Sequence, residues 1–271
     1  MTGSSFQPWL DRWGLVPDGE AFSTPYTGSR LLPVRRGGVP AMLKLATASE
    51  ELAGGALMAW WDGQGAAPVL AHHGEALLLE RAMGGASLVE MVKSGQDEAA
   101  TRAICATVAR LHRPRAEPPP STLVPLEAWF EALVAMAGVR GGVLAKAHAV
   151  ALRLLRDPRD VGVLHGDVHH ENILDFGAAG WLAIDPKGLI GERGYDYANT
   201  LRNPDMATAT APGRLARQAA VVCEAAGLER ERLLMWVLAH AGLSASWTLG
   251  DGQDAAWSLT VAEIAAAELG L

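Results

Sequence analysis

Residues 163–188 read Val-Leu-His-Gly-Asp-Val-His-His-Glu-Asn-Ile-Leu-Asp-Phe-Gly-Ala-Ala-Gly-Trp-Leu-Ala-Ile-Asp-Pro-Lys-Gly. An apolar strand end, Val163-Leu164, leads into a polar loop, and a second apolar run over 181–184 closes on Asp185. The pattern sets Asp167, Asn172 and Asp185 on one strand–loop–strand unit. One carboxylate in such a unit can be aimed at a hydroxyl group while an amide and a second carboxylate hold a divalent cation. Phosphoryl transfer from ATP needs this division of labour, because its catalysis is mostly positioning and charge neutralisation. Asp167 is the candidate base, accepting a hydrogen bond from the attacking hydroxyl. Asn172 and Asp185 are the candidate Mg2+ ligands, since oxygen donors suit a hard cation.

Upstream, the chain reads as strands around one helix. Residues 29–34 and 39–46 are strand candidates joined by Arg35-Arg36-Gly37-Gly38, a turn signal. Alternation along the returning strand puts Met42, Lys44 and Ala46 on one face. A single lysine in an apolar strand suits the presentation of an ammonium to ATP phosphates. Residues 49–61 have helical spacing, and Ser49 with Glu50 and Glu51 suits a helix start. Glu51 is the preferred partner for Lys44. The loop Thr24-Pro25-Tyr26-Thr27-Gly28-Ser29 is a candidate phosphate cover, with Ser29 among its hydroxyls. Residues 68–71 and 76–81 are two more strands, the second a buried one through Leu77-Leu78-Leu79. Backbone groups of Glu80 and Ala82, where the strands end, are candidates for the adenine edge.

Gly84-Gly85 breaks the pattern, and beyond it the chain is mainly helical. Helices are predicted over 87–93, 97–112, 126–136, 143–155, 213–226, 229–249 and 253–269, with a stiff proline-rich connector over 113–121. Asp196 is read as a helix cap that also ties its helix to the polar loop. The order predicts an α+β, bilobal architecture. A small antiparallel-sheet lobe spans 1–82, a hinge lies near 80–84, and a large helical lobe over 83–271 carries the polar loop and the acceptor site. A ligand belongs in the cleft between the lobes.

The 271 residues carry 23 Lys+Arg against 30 Asp+Glu, a formal charge of −7. That argues against nucleic acid and suits a cationic small-molecule acceptor. Nothing points to a protein partner. The two cysteines, Cys105 and Cys223, are read as buried thiols. No signal peptide and no bilayer-spanning apolar run are visible, so a reduced, cytoplasmic protein is expected. A rival reading takes His165, Asp167, His169 and His170 as ligands of a zinc hydrolase. It leaves Asn172, Asp185 and Lys44 unused. Here His169 braces the loop and His170 is exposed. A nucleotide-binding protein without catalysis is a second alternative.

The run His165 to Leu174 together with Ile184-Asp185-Pro186-Lys187-Gly188 resembles the aminoglycoside phosphotransferase family, which has a protein-kinase-like fold. Trp60-Trp61-Asp62-Gly63, Leu78-Leu79-Glu80-Arg81 and residues 185–193 resemble its streptomycin 6-kinase and hydroxyurea phosphotransferase branch. The resemblance implies transfer of the γ-phosphate of ATP to a hydroxyl of streptomycin or a similar acceptor, hydroxyurea or another small hydroxyl compound being the alternative. It also implies Asp167 as base, Asn172 and Asp185 on Mg2+, and Lys44 on the phosphates. One departure stands out. Many relatives carry the lysine-paired glutamate where this chain has Gly54, one helical turn from Glu51.

Overall fold

The protein is described by a computed structural model that covers residues 5–24 and 28–271, without the side chains of residues 49 and 50. A short helix, α1 (Gln7–Trp13), opens the chain, and β1 (Leu15–Pro17) and β2 (Phe22–Ser23) follow it. None of the three was expected, because elements this short carry too little periodicity to read. β3 (Arg30–Arg36) and β4 (Val39–Leu45) form a hairpin through a two-residue turn at Gly37-Gly38. After α2 (Ser49–Trp61) come β5 (Val69–His73) and β6 (Ala76–Glu80). The strands make one antiparallel sheet in the order β1-β3-β4-β6-β5, with β2 beside β3. Alternation decides its two faces. Leu32, Val34, Ala41, Leu43, Leu45 and Leu78 pack with Phe6 and Leu15 into a small core on one side. The opposite side of β4 carries Met42 and Lys44, and the opposite side of β6 carries Leu77 and Leu79, which join the main core. β6 is therefore covered on both faces, as its leucine run predicts.

Residues 81–87 form neither helix nor strand. Then come α3 (Leu88–Lys93), capped by Ser87, α4 (Asp97–Leu111), β7 (Val124–Pro125), α5 (Leu126–Trp129), α6 (Glu131–Arg140) and α7 (Gly142–Arg156). The helix expected over 126–136 is broken at Phe130, whose ring is locked against Tyr195 and Trp236 at centroid distances of 5.9 and 6.2 Å. The polar unit contributes β8 (Val161–Leu164), β9 (Ile173–Asp175), β10 (Trp181–Ala183) and β11 (Leu189–Glu192). Five helices complete the chain: α8 (Gly194–Arg202), α9 (Met206–Ala209), α10 (Arg214–Ala226), α11 (Arg230–Gly250) and α12 (Ala256–Glu268). α11 is long and apolar enough to cross a membrane by length and composition, which the sequence reading did not find. It is the central helix of this region instead, packed by α7, α8 and α12, with 78% of its apolar window buried. Cys105 is buried as expected, whereas Cys223 is half-buried, and both are free thiols.

Candidate active site

The polar unit is two interleaved hairpins. β8 pairs with β11, Leu164 opposite Leu189, and β9 pairs with β10, Ile173 opposite Ala183. The two apolar runs read as flanking strands thus pair with other partners, and β9 was missed because three residues show no alternation. Residues 165–172 cross from one hairpin to the other, and residues 184–188 cross back. The crossings are tied by Ile184 N–H to Asn172 O at 2.9 Å and Lys187 N–H to His165 O at 2.7 Å. His165 is fully buried. Its Nε2 donates to Ile184 O at 2.8 Å, and its Nδ1 accepts from Asp167 N–H at 3.2 Å. Burial pushes its pKa down, in keeping with a neutral ring that needs one donor and one acceptor. Gly166 has φ +86°, and a Cβ there would lie 2.8 Å from Leu189 Cδ1, so the turn tolerates no side chain.

Asp196, buried on α8, holds this loop from below. It accepts from His165 N–H at 2.9 Å, Gly166 N–H at 2.7 Å and His112 Nε2 at 2.8 Å. The cap role expected for it is not found, since the first turn of α8 has no side-chain cap. Burial works against its charge, yet these donors hold its pKa below the usual carboxylate range. Asp196→Ala strands two backbone donors and is expected to cost about 3–5 kcal/mol of stability. Denaturant unfolding reads this, and a loss under about 1 kcal/mol contradicts the tether.

Asp167 stands at the mouth of the turn with both carboxylate oxygens contacted. Asn172 Nδ2 donates to Asp167 O at 2.9 Å and to Oδ2 at 3.3 Å. Asn199 Nδ2 donates to Oδ1 at 2.9 Å. Lys187 Nζ is 3.8 Å from Oδ2, and His169 Nε2 is 4.0 Å from Oδ1. Neither Lys187 nor Asn199 was singled out from sequence. Lys187 lies inside the quoted motif, but Asn199 is 32 residues from Asp167, and nothing local marks the contact.

Lys44, Glu51, Ser29 and Asp185 come together across the sheet, α2 and the second crossing. Lys44 Nζ is paired with both Glu51 Oε2 and Asp185 Oδ1. Ser29 Oγ donates to Glu51 Oε2 at 2.6 Å. Glu51 Oε1 is buried with no hydrogen-bond partner among the described residues. Asp185 has φ +61°, a left-handed conformation that aspartate adopts more readily than most residues. Burial disfavours its charge, but the Lys44 ammonium outweighs that and holds its pKa low. Gly54 gains a reason here. A Cβ at 54 would lie 2.3 Å from the Pro186 carbonyl oxygen, so α2 meets the second crossing where no glutamate fits.

Lys44, Glu51, Asn172 and Asp185 line a cleft of about 450 Å³ walled by residues of the sheet, α2 and the β9–β10 hairpin. Its walls are apolar, with Met42, Leu79, Leu174 and Phe176, and Glu80 and Ala82 line it as well. Glu80 N–H is already bonded to Pro68 O at 2.9 Å, while Ala82 makes no backbone hydrogen bond among the described residues. Of the predicted phosphate-covering loop, residues 25–27 lie outside the described residues, and Thr24 lines the cleft.

The histidine string does not assemble a metal site. Among the described residues no group of three or more His, Cys, Asp or Glu side chains is arranged to hold an ion. His165 spends both nitrogens inside the loop, and His169 Nδ1 accepts from Glu171 N–H at 3.3 Å. His170 is not exposed as expected but buried, with neither ring nitrogen bonded, and its pKa is pushed down to about 4. His240 on α11 is buried likewise and pushed down to about 3. Both rings are neutral in the fold, whereas the unfolded chain protonates them near the usual 6.5. Their contribution is complete above about pH 6.5 and is lost as pH falls towards about 4, on the order of 1 kcal/mol per pH unit for each. Denaturant midpoints at neutral and mildly acidic pH measure this, and a pH-independent midpoint contradicts it.

A small antiparallel sheet over a helical body, with an apolar cleft lined by a lysine–glutamate pair and flanked by two carboxylate-bearing crossings, defines a protein-kinase-like phosphotransferase fold. A family profile described as "Aminoglycoside/hydroxyurea antibiotic resistance kinase" matches residues 12–252. The chain is 52% identical over 248 residues to a streptomycin 3''-kinase of Klebsiella pneumoniae, covering 90% of this chain and 92% of that one. It is 32% identical over 273 residues to a streptomycin 6-kinase of Streptomyces griseus, covering 96% and 86%. Among solved structures it superposes with TM-score 0.66, at 16% identity and over 97% and 98% of the two chains, on a thermostable mutant of aminoglycoside phosphotransferase APH(4)-Ia in ternary complex with ADP and hygromycin B. The chain belongs to the aminoglycoside/hydroxyurea antibiotic resistance kinase family. It is an enzyme that phosphorylates a small-molecule hydroxyl group.

Proposed function

We propose that the protein transfers the γ-phosphoryl group of ATP to streptomycin, on the 3'' hydroxyl, with Mg2+. The observation that carries the chemistry is that Lys44, Asn172 and Asp185 line one apolar cleft, Lys44 paired with Asp185 and Asn172 hydrogen-bonded to Asp167. The hydroxyl assignment departs from the 6-kinase branch suggested by motif. It rests on the 52% identity to the 3''-kinase against 32% to the 6-kinase.

The donor set fits Mg2+. Asn172 spends its amide nitrogen on Asp167, which leaves its carbonyl oxygen for a ligand, and Asp185 supplies a carboxylate kept ionised by Lys44. When bound, Mg2+ neutralises phosphate charge as it develops in transfer. In our reading Lys44 turns from Asp185 to the ATP phosphates while Glu51 and Ser29 keep its direction. Met42, Leu79 and Leu174 sandwich the base, and Ala82 meets the adenine edge. Asp167 accepts the hydrogen bond of the attacking hydroxyl and takes its proton as the new bond from that oxygen to the γ-phosphorus forms, while the bond from the γ-phosphorus to the β,γ-bridging oxygen breaks and its electron pair leaves with ADP. The boundary between the two lobes is placed at residues 80–84, with 1–82 and 83–271 on either side. The cytoplasm, which supplies ATP and Mg2+, is the proposed compartment, and a cationic acceptor suits the net charge of −7. The test is phosphate transfer over a panel of streptomycin, hydroxyurea and simple alcohols, with the product located by NMR. Streptomycin 3''-phosphate is expected. A preference for hydroxyurea, or phosphate on the 6 hydroxyl, overturns the assignment.

A further inference from the structure

We propose that Asn199 is the positioning residue for the catalytic base, a role that rests on the reading of Asp167 as that base. A carboxylate at the mouth of a turn can rotate about χ2 and offer either oxygen to a hydroxyl. Here Asn199 Nδ2 holds Oδ1 at 2.9 Å, while Asn172 Nδ2 is 3.3 Å from Oδ2. The Asn199 amide is itself fixed in one sense. Its Oδ1 accepts from Asn203 Nδ2 at 3.0 Å and from Arg202 Nη2 at 3.2 Å, so only its nitrogen can face Asp167. Asn203 Nδ2 also donates to Asn199 O at 2.9 Å, which closes the pair on itself.

Arg202 is in turn seated by α12. Its guanidinium lies 5.1 Å from the Trp257 ring centroid, and Trp257 Nε1 donates to Arg202 O at 3.0 Å. Asn199 is buried, so the amide is not exchanged for water. The C-terminal helix thereby sets the plane of a carboxylate to which it is not bonded, through Arg202 and Asn199. A misplacement of about 1 Å in a reacting group can cost about 10²-fold in rate.

The test is a double-mutant cycle with Asp167 on the full chain. Asn199→Asp keeps the shape and the oxygen that Arg202 and Asn203 need, but replaces the donor to Asp167 with a second carboxylate oxygen. A role in packing alone is restored by that variant; a role in positioning is not. We expect Asn199→Asp and Asn199→Ala each to lower kcat about 10- to 100-fold, with KM for both substrates within about threefold. In the Asp167→Ala background the same changes should alter the residual rate by less than about threefold, since the group they orient is gone. The role is overturned if Asn199→Asp retains kcat within about threefold, if the effects with Asp167→Ala are additive, or if neither variant folds. Should Asp167→Ala itself leave kcat unchanged, the base assignment fails, and the positioning role with it. Asp167→Ala inactive beside a fully active Asn199→Asp overturns the positioning role alone.

Discussion

Asp185→Asn is expected to lower kcat/KM about 10³-fold or more while leaving the fold intact. A bound divalent cation supplies several kcal/mol of charge stabilisation, and each 1.36 kcal/mol is about tenfold in rate. Removing the carboxylate removes the one charged ligand in the proposed pair, and the Asn172 oxygen alone is a poor cation site. The change suits the backbone, because asparagine tolerates the φ of +61° at this position as well as aspartate does. It also frees Lys44 from one of its two carboxylate partners, so affinity for nucleotide without metal is expected to hold or rise. Steady-state kinetics over a Mg2+ titration read the effect. A variant within about tenfold of the parent at saturating Mg2+ contradicts the role.

Asp167→Asn should be the second severe change. A positioned base contributes about 10²–10⁴-fold, and asparagine cannot take a proton. One side-chain oxygen remains to accept from Asn172 or Asn199, so the loop keeps part of its bonding and the thermal midpoint should move little. Nucleotide affinity should be unchanged, because Asp167 does not line the cleft. Pre-steady-state transfer to streptomycin separates the chemical step from product release. A rate within about threefold of the parent refutes the base.

What could be read in advance follows the range of the interactions. Asp167, Asn172 and Asp185 stood out because one short stretch carries them all. Lys44 stood out because alternation fixes which face of β4 it occupies. Glu51 was reached through adjacency, and in the fold its carboxylate meets both Lys44 and Ser29. Asn199 and Lys187 were out of reach for a different reason: their contacts with Asp167 depend on how α8 and the second crossing return to the loop. His170 was misjudged in the same way. Its neighbours in sequence are polar, but the buried ring lies within reach of the charges of Arg214 and Asp97, more than forty residues away on one side and more than seventy on the other. β9 and the break at Phe130 escaped because three residues have no period and because a buried ring, not a turn signal, ends α5. Gly54 read as a missing glutamate. In the fold it is the place where the Pro186 carbonyl meets α2, which explains the absence better than loss of function does.

The most direct single measurement is a crystal structure of the chain with a non-hydrolysable ATP analogue, Mg2+ and streptomycin. A metal is expected about 2.0–2.1 Å from oxygens of both Asp185 and Asn172. The 3'' hydroxyl is expected about 2.6–3.2 Å from the Asp167 carboxylate. A metal bound away from either side chain, or an acceptor whose nearest hydroxyl faces another residue, contradicts it.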